Sequence, residues 1–94
     1  MYIVRDVFTA KPGKANALAE KFTAAKPHFQ GEGISVGKIM VDSVASYWTV
    51  VLEMEVEDLD AYFNLAENPS AREAMEGYME FVQEGYREIF RVVG

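Results

Sequence analysis

The sequence predicts a single α+β domain of order β-α-β-β-α-β, a four-stranded antiparallel sheet with two helical segments on one face. Three observations point there. Four runs rich in β-branched and aromatic residues are set apart by turn-forming residues. Two apolar stripes recur at helical spacing between them. The two central runs are joined by a short polar loop, as in a hairpin of antiparallel neighbours. At 94 residues the chain is the size of one domain, residues 1–94, and its core is modest.

The first strand is Tyr2-Ile3-Val4-Arg5-Asp6-Val7-Phe8, and Lys11-Pro12-Gly13-Lys14 turns the chain after it. Ala15, Leu18, Phe22, Ala25 and Phe29 form the stripe of the first helix. Pro27 lacks the amide hydrogen that the helix ladder needs, so an end or a kink is expected near Lys26. Gln30-Gly31-Glu32-Gly33 is a flexible connection to a second strand over Ile34 to Val41. Asp42-Ser43-Val44-Ala45-Ser46 reads as the hairpin loop, and Tyr47 to Val56 as the third strand.

Glu57-Asp58-Leu59-Asp60 opens a second helical region, with acids at the positive end of the helix dipole. It runs to about Glu67 and breaks at Asn68-Pro69. Ser70-Ala71-Arg72-Glu73 has the form of a capping box that restarts it. Ala71, Ala74, Met75, Tyr78, Met79 and Val82 make its buried stripe, opposite Glu73, Glu76, Glu80 and Glu84. Gly85 suits a helix stop, and Tyr86 to Val93 is the last strand.

A ferredoxin-like protomer of this kind covers one sheet face with helices, yet both faces are apolar by period two. Trp48, Val50, Leu52 and Met54 oppose Tyr47, Thr49 and Val51; Tyr2, Val4 and Phe8 oppose Ile3 and Val7. Leaving several hundred Å² of apolar surface in water costs many kcal/mol, at about 25 cal/mol per Å². The expectation is a homodimer packed sheet to sheet.

Net charge is −6, with residues 1–47 carrying more basic than acidic side chains and residues 48–94 strongly acidic. No cluster of cations serves nucleic acid or an anionic membrane surface, so neither is expected as a partner. The absence of cysteine excludes disulfides, thiolate metal sites and cysteine nucleophiles, and fits a cytoplasmic location. No apolar run approaches a bilayer span, and Met1 to Ala10 lacks the apolar stretch of a signal peptide. One histidine and no cysteine make no transition-metal site. Gly31-Glu32-Gly33-Ile34-Ser35-Val36-Gly37 leads into a strand, which excludes a dinucleotide loop.

The chain resembles the dimeric α+β barrel superfamily, which includes antibiotic-biosynthesis monooxygenases and NIPSNAP-like proteins. The resemblance spans the whole length. It rests on the first strand from Ile3 to Phe8 with Lys11-Pro12-Gly13-Lys14, on Tyr47-Trp48-Thr49-Val50-Val51-Leu52-Glu53 leading to Glu57-Asp58-Leu59-Asp60-Ala61-Tyr62, and on Arg87-Glu88-Ile89-Phe90-Arg91-Val92-Val93. It implies sheets that form a barrel across a dimer and pockets between sheet and helices. It also implies a range of chemistries: cofactor-free oxidation of aromatic polyketides, haem degradation, lactone isomerisation. Two departures stand out. No histidine lies in the segment Ser70 to Met79, and the first strand has Arg5 and Asp6 where the haem degraders have an asparagine.

His28 is the sole histidine and reads either as a general base at the mouth of a pocket or as a cation at a helix C-terminus. Arg5 reads either as an anion-recognising group or as the partner of Glu53 or Glu88 in a sheet ion pair. Trp48 is a candidate platform for a planar ligand, and Tyr62, Met75 and Tyr78 are candidate cavity walls, against a plain packing role for each. Glu53, Glu55 and Glu57 share a strand face, solvated or paired with arginine.

The functional expectation is a homodimer binding a small aromatic or amphipathic molecule between sheet and helices. If it is an enzyme, the reaction is a cofactor-independent, monooxygenase-like oxidation or an isomerisation, with His28 or Arg5 stabilising an enolate-like anion. The alternative is a non-catalytic dimerisation and assembly module. The binding reading requires a closed cavity of roughly 300 Å³ or more touching Trp48 or His28.

Overall fold

The computed structural model describes residues 1–31, 33–44 and 47–94. Among them the strands are β1 (Tyr2–Ala10), β2 (Ile34–Val41), β3 (Thr49–Val56) and β4 (Val82–Arg91). The helices are α1 (Ala15–Phe29), α2 (Leu59–Asn64) and α3 (Pro69–Ala74), with short 3₁₀ turns at Leu65–Glu67 and Tyr78–Phe81. The sheet is antiparallel in the order β2-β3-β1-β4, the ferredoxin-like arrangement expected.

Alternation along the strands sets the two faces. Val4 and Ala10 of β1 and Val50, Leu52, Met54 and Val56 of β3 are buried beneath the helices. Leu18, Phe22 and Ala25 of α1 are buried against them, as their spacing predicts. Ile3, Arg5 and Val7 point the other way, across from Glu55, Glu53 and Val51 on one side and Phe90, Glu88 and Tyr86 on the other. Among the described residues no helix covers that face. Tyr86 is 61% exposed and Phe90 49%.

Several elements differ from the sequence reading. α1 runs through Pro27 to Phe29. Pro27 gives up only the ladder bond to the Thr23 carbonyl, and just two helical residues follow it, so the loss is small and the helix continues. β3 starts at Thr49 because Trp48 has a φ of 63°, a left-handed conformation that strands do not adopt. The Trp48 carbonyl still accepts from Ala10 N–H at 2.8 Å. The hairpin is pinned by Asp42, whose Oδ1 accepts from Thr49 N–H at 3.0 Å. Of the predicted loop, Ala45 and Ser46 lie outside the described residues, as does Glu32 of the earlier connection.

The larger correction concerns residues 69–85. Ser70 does not cap; Asn68 does, its Oδ1 accepting from Ser70 N–H at 2.9 Å and Ala71 N–H at 3.3 Å, with Pro69 first in the helix. α3 then ends after Ala74, and Gly77 at φ 81° turns the chain. Met79 is therefore exposed and not part of a buried stripe, and Val82 is buried as the first residue of a strand. Gly85 is no helix stop. It sits inside β4 opposite Phe8, where a Cβ would lie 2.7 Å from the Phe8 ring, so the missing side chain makes room for that ring.

Candidate functional site: a cavity between sheet and helices

A cavity of about 420 Å³ lies between the covered face of the sheet and the helices. β1 contributes Asp6 and Phe8, β3 Leu52 and Met54, and β4 Arg87. The helical layer contributes Phe22, Phe29, Tyr62, Phe63, Leu65, Ala71 and Arg72, then Met75 and Tyr78 where the chain leaves α3. The break at Gly77 matters here: the chain turns away and the space is not filled by a continuous helix.

Much of the wall is aromatic. Phe8 and Phe22 have ring centroids 5.2 Å apart, and Tyr78 lies 6.1 Å from each, edge-on to Phe8. These are favourable separations for aromatic pairs, and they make a rigid apolar surface.

The polar part is small and interlocked. Asp6 shares a strand face with Val4 and Phe8 and is only 7% exposed. A carboxylate so placed is costly unless paired. Arg87, its cross-strand neighbour, donates from Nε to Asp6 Oδ1 at 2.6 Å. The Tyr62 hydroxyl donates to Asp6 Oδ2 at 3.5 Å, and the Arg87 guanidinium carbon lies 5.3 Å from the Tyr62 ring centre, a cation–π contact. Burial, then the adjacent Asp6 charge, push the Tyr62 phenol up to about 12, with Arg87 opposing. Burial pulls the Arg87 guanidinium down, but its hydrogen bond and charge interaction with Asp6 outweigh that and raise it. Tyr62 is thus a neutral hydrogen-bond donor and Arg87 a fixed cation.

The residues picked from the sequence divide cleanly by position. Tyr62, Met75 and Tyr78 line this cavity. His28 and Trp48 do not; a second open space, of about 500 Å³, touches Trp48. His28 is exposed on the last turn of α1. Trp48, turned out of the strand by its backbone, borders a separate depression with Val41, Asp42 and Ala15. Arg5 is on the opposite face of the sheet, its Nε 3.7 Å from Glu53 Oε2, the pairing that the sheet order anticipates. The sequence reading named neither Asp6 nor Arg87 as a cavity residue. The signal for Asp6 was present: an acid at the one polar position of the apolar series Tyr2, Val4, Phe8 and Ala10.

Fold and cavity together define the class: an α+β protein with a ferredoxin-like sheet, helices on one face, and an aromatic cavity between the layers. No family model matches the chain, and no curated protein does. Solved structures do. An uncharacterised NIPSNAP domain protein from Burkholderia xenovorans aligns with a TM-score of 0.80 over 99% of this chain and 95% of its own, at 9% identity. Proteins provisionally described as antibiotic biosynthesis monooxygenases align similarly. That from Nitrosomonas europaea gives 0.79 at 14% identity over 100% of both chains. That from Chloroflexus aurantiacus gives 0.76 at 14% identity over 99% of this chain and 93% of its own. These are the two kinds of protein the sequence resembles, and at such identities the likeness is one of fold. Among the described residues no helix is long and apolar enough to cross a membrane.

Proposed function

We propose that the chain binds a small aromatic or amphipathic molecule in the cavity between sheet and helices, as one half of a homodimer packed through the open sheet face. One observation carries the binding reading: the space is not filled by Phe22, Tyr62, Met75 and Tyr78 but is walled by them, leaving about 420 Å³ with a buried polar trio at its edge. That size and composition are those of small-molecule sites. The provisional description of two structural neighbours as antibiotic biosynthesis monooxygenases supports an oxidation, which we read as cofactor-independent, with an isomerisation as the other reaction open to such a cavity. His28 and Arg5 stand away from the cavity, so we assign anion stabilisation in such a reaction to Arg87.

The test uses the neutral fluorophore N-phenyl-1-naphthylamine. It should bind saturably with blue-shifted emission, one per chain, and Met75→Trp should abolish binding by filling the cavity while the fold is retained by circular dichroism. Absence of binding to the parent protein, or binding indifferent to Met75→Trp, overturns the reading. The exposed Tyr86 and Phe90 favour a second reading, a non-catalytic assembly module; it wins if the protein dimerises but binds no probe.

A further inference from the structure

We infer that the cavity is built for an amphipathic monoanion, an aromatic or aliphatic body carrying one carboxylate-like group. This rests on the reading of the cavity as a binding site and narrows what enters it. The charged side chains on its wall are Asp6, Arg72 and Arg87, two cations against one anion, in a chain whose net charge is −6. Asp6 is committed to Arg87 Nε and the Tyr62 hydroxyl. Arg72, on the exposed side of α3, has no acid within ion-pair distance among the described residues. The cavity therefore keeps an excess of one positive charge beside a largely aromatic wall.

Geometry assigns the two arginines different parts. Arg87 is anchored through Nε by a buried carboxylate, while its side chain is 50% exposed and its terminal nitrogens make no hydrogen bond among the described residues. Those nitrogens are held in place and free to donate, an arrangement that lowers the ordering cost of binding an anion. Tyr62, whose one hydroxyl hydrogen goes to Asp6 Oδ2, helps to hold that carboxylate in place. Arg72 enters from the helical side and supplies the unpaired charge.

The experiment compares two probes with nearly the same aromatic body. 8-Anilinonaphthalene-1-sulfonate carries one anionic group and N-phenyl-1-naphthylamine none. The sulfonate should bind the parent protein about tenfold or more tightly than the neutral probe, the scale expected of charge-assisted hydrogen bonds. In Arg72→Glu, a surface change that leaves the core intact, that ratio should fall to about one or below. Arg87→Gln should lower the ratio too, and combining it with Asp6→Asn guards against a folding defect from an unpaired carboxylate. Probe signal that survives Met75→Trp belongs to the open sheet face and is subtracted. Equal affinity for both probes, with a ratio indifferent to Arg72→Glu, overturns the inference while leaving the binding site standing. Failure of both probes removes the site and the inference together.

Discussion

Arg5 and Asp6 are consecutive residues of β1, and each meets an opposite charge on a neighbouring strand. Their surroundings could hardly differ more. Asp6 points under the helices, its side chain 9% exposed, and holds Arg87 at 2.6 Å. Arg5 points to the bare face, 40% exposed, and lies 3.7 Å from Glu53. One step along a strand reverses the face, so the same chemistry serves two ends. Beneath the helices an ion pair fixes a guanidinium at the edge of a cavity. On the bare face it leaves the Arg5 Nε enclosed without a hydrogen-bond acceptor. The exposed Tyr86 and Phe90 lie on the same face.

The sharpest way to break the comparison is to remove one cation from each face. Arg87→Ala strands the buried Asp6 carboxylate and should lower stability to urea by about 3 kcal/mol, the low end for a broken buried pair because Arg87 itself is half exposed. Arg5→Ala should cost the isolated subunit about 1 kcal/mol or less, as exposed pairs do. Its effect should instead appear in sedimentation: the proposed dimer of the parent protein should hold at micromolar concentration, and that of the variant should dissociate more readily. Equal losses of stability from both changes in dilute protein would erase the distinction between the faces.

A smaller effect sharpens it. With Tyr62 at about 12 against an ordinary 10, folded and unfolded chains both keep the proton below pH 10. Between pH 10 and 12 the unfolded chain loses it first, so stability falls as pH rises through that window. Tyr62→Phe should remove that part of the fall and the phenolate absorbance that develops near pH 12. A curve unchanged in its final phase would show that Tyr62 is not enclosed beside Asp6.

The fold was readable because period two and helical spacing survive in almost every element. The first helix stripe, Ala15, Leu18, Phe22 and Ala25, is buried as spaced, and β1 and β3 divide their residues between faces as counted. The misreadings have one long-range cause and two local ones. Gly85 looks like a helix stop but is small to admit Phe8, a residue far away in sequence. Ser70 and Glu73 have capping-box spacing, yet Asn68 reaches the free amides first. Trp48 belongs to the strand by composition and leaves it by a single backbone angle. Half of the chosen site residues, Tyr62, Met75 and Tyr78, line the cavity because apolar helix faces must point at the sheet. His28, Arg5 and Trp48 were chosen for chemistry alone, and chemistry does not say which face of an element a residue occupies.

The claim that the two faces do different work is tested most directly by mapping amide and methyl chemical shifts while titrating N-phenyl-1-naphthylamine into isotope-labelled protein. The account predicts perturbations concentrated at Phe8, Phe22, Tyr62, Ala71 and Tyr78. Perturbations centred on Val7, Val51, Tyr86 and Phe90, with the helical side silent, would contradict it.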